Sequence, residues 1–279
     1  MRHPRIVAPR WGEKETARYQ GLLKKLDRRG SSLARSVRNA DSPGMGRYFE
    51  VLIRTWIEEV PPARLEAANW QVYAGSRTIG EFDLLFRRNR ALWHWELAVK
   101  FYLGHPAPDG QFRWFGPDPV DRLDRKWAKM RGQQLRLRTH PAAQGALEVL
   151  GVDDDPTPRA FVKGYIFEPL DPSFDIEYPP DINPGAARGW WVYRSQLADS
   201  RDRIGVDGPL EWIRLPRRRW MSPAYVTDDD RVMSFEALTS VVPPDRPTLV
   251  AGLAETKRGL EEVTRGFVVP EQWPYFEPL

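Results

Sequence analysis

The chain has 279 residues, 41% of them apolar, a formal net charge of +4, twelve tryptophans and no cysteine. That length allows one large domain or two small ones with an ordinary core, and the missing cysteines exclude disulfides, thiolate metal sites and a cysteine nucleophile. No stretch approaches the ~18–20 apolar residues of a membrane span, and the opening MRHPRIVAPRWGEK has no apolar run, so a soluble cytoplasmic protein is expected.

In chain order the front half is regular. Residues 1–40 carry eleven Lys or Arg against Glu13, Glu15 and Asp27. Residues 13–38 are predicted as one basic helix with a sparse stripe of Leu22, Leu23, Leu26 and Leu33. Ser42–Pro43 opens and Pro61–Pro62 stops a second helix, whose inward face is Phe49, Leu52, Ile53, Trp56, Ile57 and Val60. WQVYAG reads as a strand, and GEFDLLFRRNRALWHWELAVKFYL as a β-hairpin turning within Arg87–Arg90. GPDPVDRLDRKWAKMRGQQLRLR reads as a helix opened by Asp118 and Pro119, and RAFVKGYIF as a further strand. A helix, three strands, a helix and a strand make an α/β layout with a mixed sheet.

From about residue 168 the pattern is sparser: a Pro-rich acidic loop, then RGWWVY and LEWIRLPRRRW as strands, with Trp190–Trp191 read as core. The expected organisation is a basic helical segment (1–41), a core domain (42–168) and a Trp/Pro-rich β extension packed on it (169–279).

The hairpin carries the chemistry. Trp93, Trp95, Leu97, Val99 and Phe101 alternate onto one face, and His94, Glu96, Ala98 and Lys100 onto the other. On the facing strand, Phe82, Leu84 and Phe86 alternate with Glu81, Asp83 and Leu85. With a loop at Arg88–Asn89, or at Arg87–Arg90, Asp83 lies opposite His94 and Glu96 is its diagonal neighbour, roughly 7–8 Å away. Two carboxylates aimed at one place repel unless a shared proton, an arginine or a divalent metal neutralises them. Glu50 on the preceding helix could add a third oxygen, although Arg47 and Arg54 lie one turn either side of it as ordinary ion-pair partners.

Glu50 in a helix, Asp83 in a strand and Glu96 with a lysine in the next strand resemble the PD-(D/E)XK nuclease superfamily. GRYFE, HWELAVKFYLG, DRLDRKWAKMRGQQL and KGYIF resemble a bacterial family described as domain of unknown function 1853, placed in that superfamily. The resemblance implies a restriction-endonuclease-like core: a mixed central sheet flanked by helices, with Glu50, Asp83 and Glu96 holding Mg²⁺ or Mn²⁺ beside a catalytic lysine. The superfamily pattern puts that lysine two residues after the acid, where this chain has Ala98. The candidate is therefore Lys100, with Lys163 as the alternative. Gln133 and Gln134 resemble a helix position used near the site in that superfamily.

The run from Arg122 to Arg138 holds seven cations against Asp124, so Arg125, Lys126 and Lys129, with the two glutamines, are expected to contact a phosphate backbone, DNA ahead of RNA. The expected function is metal-dependent phosphodiester hydrolysis in nucleic acid. The alternatives are a nucleic-acid-binding protein that has lost cleavage, and a protein-interaction module using the Trp-rich C-terminal third.

Overall fold

The computed structural model describes residues 17–28, 31–38, 44–226, 230–257 and 259–274. The chain is mixed α/β, with helices flanking a mixed sheet. The described residues fall into two compact units. One takes those up to Val99 together with Lys126–Lys163; the other takes Lys100–Arg125 and those from Gly164 onward. No helix among the described residues is long and apolar enough to cross a membrane.

The first unit begins with helices α1 (Gln20–Leu26) and α2 (Ser32–Arg38) in place of the single helix expected over 13–38, of which 13–16 and 29–30 lie outside the described residues. Ser31 marks the break: its hydroxyl donates to the Leu26 carbonyl at 2.6 Å and accepts from the Ala34 amide at 3.1 Å, which starts α2. Helix α3 (Met45–Glu59) follows; the Ser42–Pro43 start signal lies outside the described residues. Phe49, Ile57 and Val60 of its expected face are buried.

Strands β1 (Arg64–Ala74), β2 (Arg77–Arg88) and β3 (Ala91–Pro106) form an antiparallel meander, and β3 neighbours β5 (Thr157–Pro169). Helix α4 (Leu123–Gly132) starts five residues after the expected Asp118. Asp118 instead closes a turn, accepting from the Asp121 amide at 3.1 Å and, through its side chain, from Val120. The long helix also breaks at Gln133, whose φ of −125° and ψ of −63° turn the chain into a 3₁₀ segment, Gln134–Thr139. Helix α5 (Pro141–Val149), opened by Pro141 at its first turn, completes the unit.

Helices cover both faces here. Phe49 of α3 stacks on Phe161, which stacks on Trp95, an odd-numbered residue of β3. The even-numbered face of β3 packs the other way: Leu92 against Leu137, Ala143 and Leu147, and Ala98 against Met130 and Leu135. The twin faces read from the sequence of β3 are thus both used as core.

The second unit uses the far ends of β3 and β5. Its strands run β3, β5, β6 (Ala187–Tyr193), β9 (Gly259–Val269), β8 (Thr248–Thr256) and β7 (Glu211–Arg214), with β4 (Phe112–Phe115) on β3. The β5–β6 and β6–β9 pairs are parallel and the β7–β8 and β8–β9 pairs antiparallel. Helix α6 (Phe235–Val241) packs Phe235 and Leu238 with Trp190, Trp212, Val250 and Val268. Trp190 and Trp191 are 6% and 1% exposed, in keeping with the core reading. Trp190 lies over Gly266, its partner across the strands, where a Cβ would sit 2.1 Å from the indole. Gly164 has a φ of +136°, and a Cβ there would fall 1.6 Å from the Lys100 carbonyl oxygen, so only glycine lets β5 pass this close to β3.

Candidate functional site

The hairpin turn fixes where the acids meet. Arg88 pairs with Ala91, so the loop is Asn89–Arg90, with φ of +51° and +65°. Two consecutive left-handed residues match the twist of a tight hairpin. The expected register is therefore wrong by one residue on each strand: His94 faces Leu85, not Asp83. Because both strands shift together, the faces are kept and Asp83 moves alongside Glu96.

Between β2 and β3 the paired residues run only as far as Leu84 and Trp95. Beyond them the Asp83 Oδ2 accepts from the Leu97 amide at 2.8 Å, taking the place of a backbone carbonyl. The expected alternation also breaks at Asp83. Phe82 packs edge-on to the His94 ring, centroids 4.7 Å apart, on the side that also holds Leu85.

Glu96 is fully buried and held on three sides. His94 Nε2 lies 2.7 Å from Oε1, Gln134 Nε2 donates to Oε2 at 2.5 Å, and the Asp83 carboxyl is within hydrogen-bonding reach. Burial pulls the His94 imidazole down to about 4, so it is neutral at pH 7. Its Nδ1 is buried without a hydrogen-bond partner. A buried lone pair is cheaper to leave unpaired than a buried N–H, which puts the proton on Nε2, donating to Glu96.

Both Glu96 oxygens and Asp83 Oδ2 face N–H groups, so the two carboxyls lie side by side with their like charges opposed. Desolvation, then the charge of Glu96, raises Asp83 to about 7; Glu50 and Glu81 add to the rise. Desolvation raises Glu96 to about 8, opposed chiefly by the charge of Lys126. Both shifts favour the protonated acids over a doubly charged pair.

Glu50 stands in a second, linked network. The pairs Ala68–Leu84 and Trp70–Phe82 set Asn69 opposite Asp83, and Asn69 has a left-handed φ of +50°. Asparagine tolerates that conformation better than most side chains. Its amide donates to Glu50 Oε2 at 3.3 Å and Glu81 Oε1 at 3.0 Å, and its oxygen accepts from Arg47 at 2.6 Å. Arg47 also pairs with Glu50 at 2.9 Å, while Arg54 turns to Glu58 at 2.8 Å. Asn69 and Glu81 were not singled out from the sequence; an asparagine inside a strand-like run, flanked by Trp70, was the available signal.

The lysines are placed as follows. Lys100 Nζ is held by Asp121 Oδ2 at 2.5 Å, and Tyr102 donates to the other oxygen of Asp121 at 3.1 Å. Lys163 Nζ lies over the Phe161 ring, 5.2 Å from its centroid, and burial lowers its pKa. Lys126 Nζ donates to Gln134 Oε1 at 3.1 Å, so Lys126 and Gln134 reach inward to Glu96. Arg125, Lys129 and Gln133 are exposed on the same helical segment.

Among the described residues no three His, Asp or Glu side chains are grouped as a metal site. Magnesium asks less of a protein than that: one or two carboxylates, with water and substrate phosphate completing an octahedron. Asp83 and Glu96, two adjacent acids on neighbouring strands, offer oxygens that fit such an ion.

A family model with the description "Domain of unknown function (DUF1853)" matches residues 2–269. The chain belongs to that family. Neither the curated proteins nor the solved structures contain a significant match to this member of it.

Proposed function

We propose that this protein is a metal-dependent nuclease-like hydrolase of phosphodiester bonds, built on a PD-(D/E)XK core. The observation that carries this reading is the meeting of half-buried Asp83 and fully buried Glu96 from adjacent strands where their ladder opens. An isolated buried carboxyl is costly and a second beside it more so. A core that needed only packing would place apolar residues there. The order α3, β1–β3, α4, β5 supports the same assignment, as does Glu50, whose charge reaches Asp83 through the site.

Asp83 and Glu96 would hold Mg²⁺ or Mn²⁺. The ion would supply a Lewis acid for the phosphoryl oxygens and a more acidic water. The chain's own contribution is orientation. His94 and Gln134 fix the two oxygens of Glu96, the Leu97 amide fixes Asp83, and the Asn69 amide bridges Glu50 and Glu81. Exposed Arg125 and Lys129 suit the phosphate backbone of nucleic acid, DNA ahead of RNA.

A second reading, nucleic-acid binding without cleavage, is favoured by one observation: Lys100 is committed to Asp121. The two readings separate on incubation with duplex DNA, single-stranded DNA and RNA in Mg²⁺ or Mn²⁺. Cleavage by the native protein is expected, falling by roughly 10²–10³-fold in Asp83→Asn and in Glu96→Gln. Retention of nucleic acid with no cutting under either metal selects the second reading. Undiminished cutting by Asp83→Asn rejects the site.

A further inference from the structure

We propose that Arg47, on α3, grips a phosphate of the nucleic acid beside the Asp83–Glu96 pair, held in place for it by Asn69. This rests on the hydrolase reading above and names the group that would receive the substrate there. Sequence spacing alone makes Arg47 an ordinary i, i+3 partner of Glu50, and the fold adds a contact that such a pair does not need. Arg47 Nη1 donates to Glu50 at 2.9 Å and also across to the Asn69 carbonyl on β1 at 2.6 Å. An exposed pair within one helix is loosely held; a guanidinium tied to a second element is not.

Asn69 is left-handed, with a φ of +50°, in the middle of β1, where glycine would be less strained. What glycine lacks is the carboxamide. Its oxygen takes Arg47 while its N–H₂ spans Glu50 and Glu81, so one side chain orders a cation and two acids. Asn69 also lies opposite Asp83, between the pairs Ala68–Leu84 and Trp70–Phe82, which sets the guanidinium on the β1 side of the acid pair. Both contacts of Arg47 are made through Nη1, and no acceptor among the described residues takes its Nε–Nη2 edge. The side chain is 41% exposed, so a ligand can reach it. The two parallel N–H groups of that edge match two oxygens of a phosphate. Charge asks for the same contact. A phosphodiester drawn to a cation on Asp83 and Glu96 also meets Glu50 and Glu81, and a positive group beside it offsets that repulsion. Arg47 touches the substrate, and Asn69 is a positioning residue.

Salt separates a phosphate contact from a brace. Binding of labelled single-stranded DNA, followed by anisotropy in Ca²⁺ from about 50 to 200 mM salt, falls with a slope set by the number of phosphates neutralised. Arg47→Met should lower that slope by roughly 0.7 and weaken low-salt binding by about tenfold, without weakening Mn²⁺ alone. In cleavage its KM should rise by about tenfold with kcat within about threefold of native, because the contact is made equally before and during reaction. Arg47→Lys keeps the charge and should keep the slope, with KM raised by about threefold. Asn69→Gly relieves the backbone and should hold the melting temperature, yet raise KM by about threefold. An Arg47→Met protein with the native slope and KM, or one whose loss lies in kcat and Mn²⁺ affinity, overturns the assignment of Arg47 and leaves the carboxylate pair intact. The slope is read without cutting, so it decides equally for a native protein that binds and does not cleave. A native protein that neither binds nor cleaves nucleic acid overturns the hydrolase reading and this inference with it.

Discussion

Each compact unit buries charge, and the two do it in opposite ways. In the second unit Arg265 is 2% exposed and every polar group around it is answered. It donates to both oxygens of Glu262 at 2.5 and 2.7 Å and to the carbonyls of Trp220 and Ser222 at 2.7 Å each, and its guanidinium lies over the Tyr165 ring. In the first unit two acids, half-buried Asp83 and fully buried Glu96, are brought together, and desolvation raises the pKa of both. A buried charge matched by its opposite holds loops and strands in place. A like-charged pair away from water costs stability, and the proposed cation would relieve that cost. The tryptophan content follows the first pattern: Trp190, Trp191 and Trp212 are packing, not stacking platforms.

The comparison breaks most visibly at Arg265. Arg265→Met strands the Glu262 carboxylate and two carbonyls, and removal of one partner from a buried pair costs about 3–5 kcal/mol. The melting temperature, followed by tryptophan fluorescence, should fall by roughly 10 °C. A fall of a degree or two would mean that the network contributes little.

The carboxylate pair should respond with the opposite sign. Both acids keep their protons to higher pH in the fold than in the unfolded chain, where they titrate near 4. The native state therefore binds more protons between about pH 4 and pH 8, and its stability declines as pH rises through that window. Asp83→Asn preserves shape, can still accept from Leu97 and can donate to Glu96. Near pH 8 it should stabilise by roughly 1–3 kcal/mol, or ~2–10 °C, with the gain shrinking toward pH 4. Destabilisation by this substitution at every pH would mean the pair is structural after all.

Much of this site was readable from the hairpin. Glu96 between Trp95 and Leu97, and Asp83 within an otherwise apolar strand, announce themselves as polar residues where packing wants none. The exact neighbour was not readable, because the turn places Arg90 in a left-handed conformation that a β-carbon disfavours, and neither loop considered, Arg88–Asn89 or Arg87–Arg90, was the one adopted. The hydrogen bonds from Lys126 to Gln134 and from Gln134 to Glu96 were hidden for a related reason. As one continuous helix opened at Asp118, residues 126 and 134 simply belonged to a basic face; only the break at Gln133 turns Gln134 inward. Asn69 was invisible since its role depends on facing Asp83 across a ladder that local sequence does not specify. The β8–β9 hairpin and α5 carry too little periodicity or turn chemistry to have been marked.

The most direct measurement is calorimetric titration of Mn²⁺ into the native protein and Asp83→Asn, near pH 6 and near pH 8, in two buffers of different ionisation enthalpy. A single ion should bind the native protein, more tightly at the higher pH and with release of protons from the two acids, and Asp83→Asn should lose most of that affinity. Binding that ignores pH and survives Asp83→Asn, or no binding at all near pH 8, would contradict the claim that Asp83 and Glu96 wait for a cation.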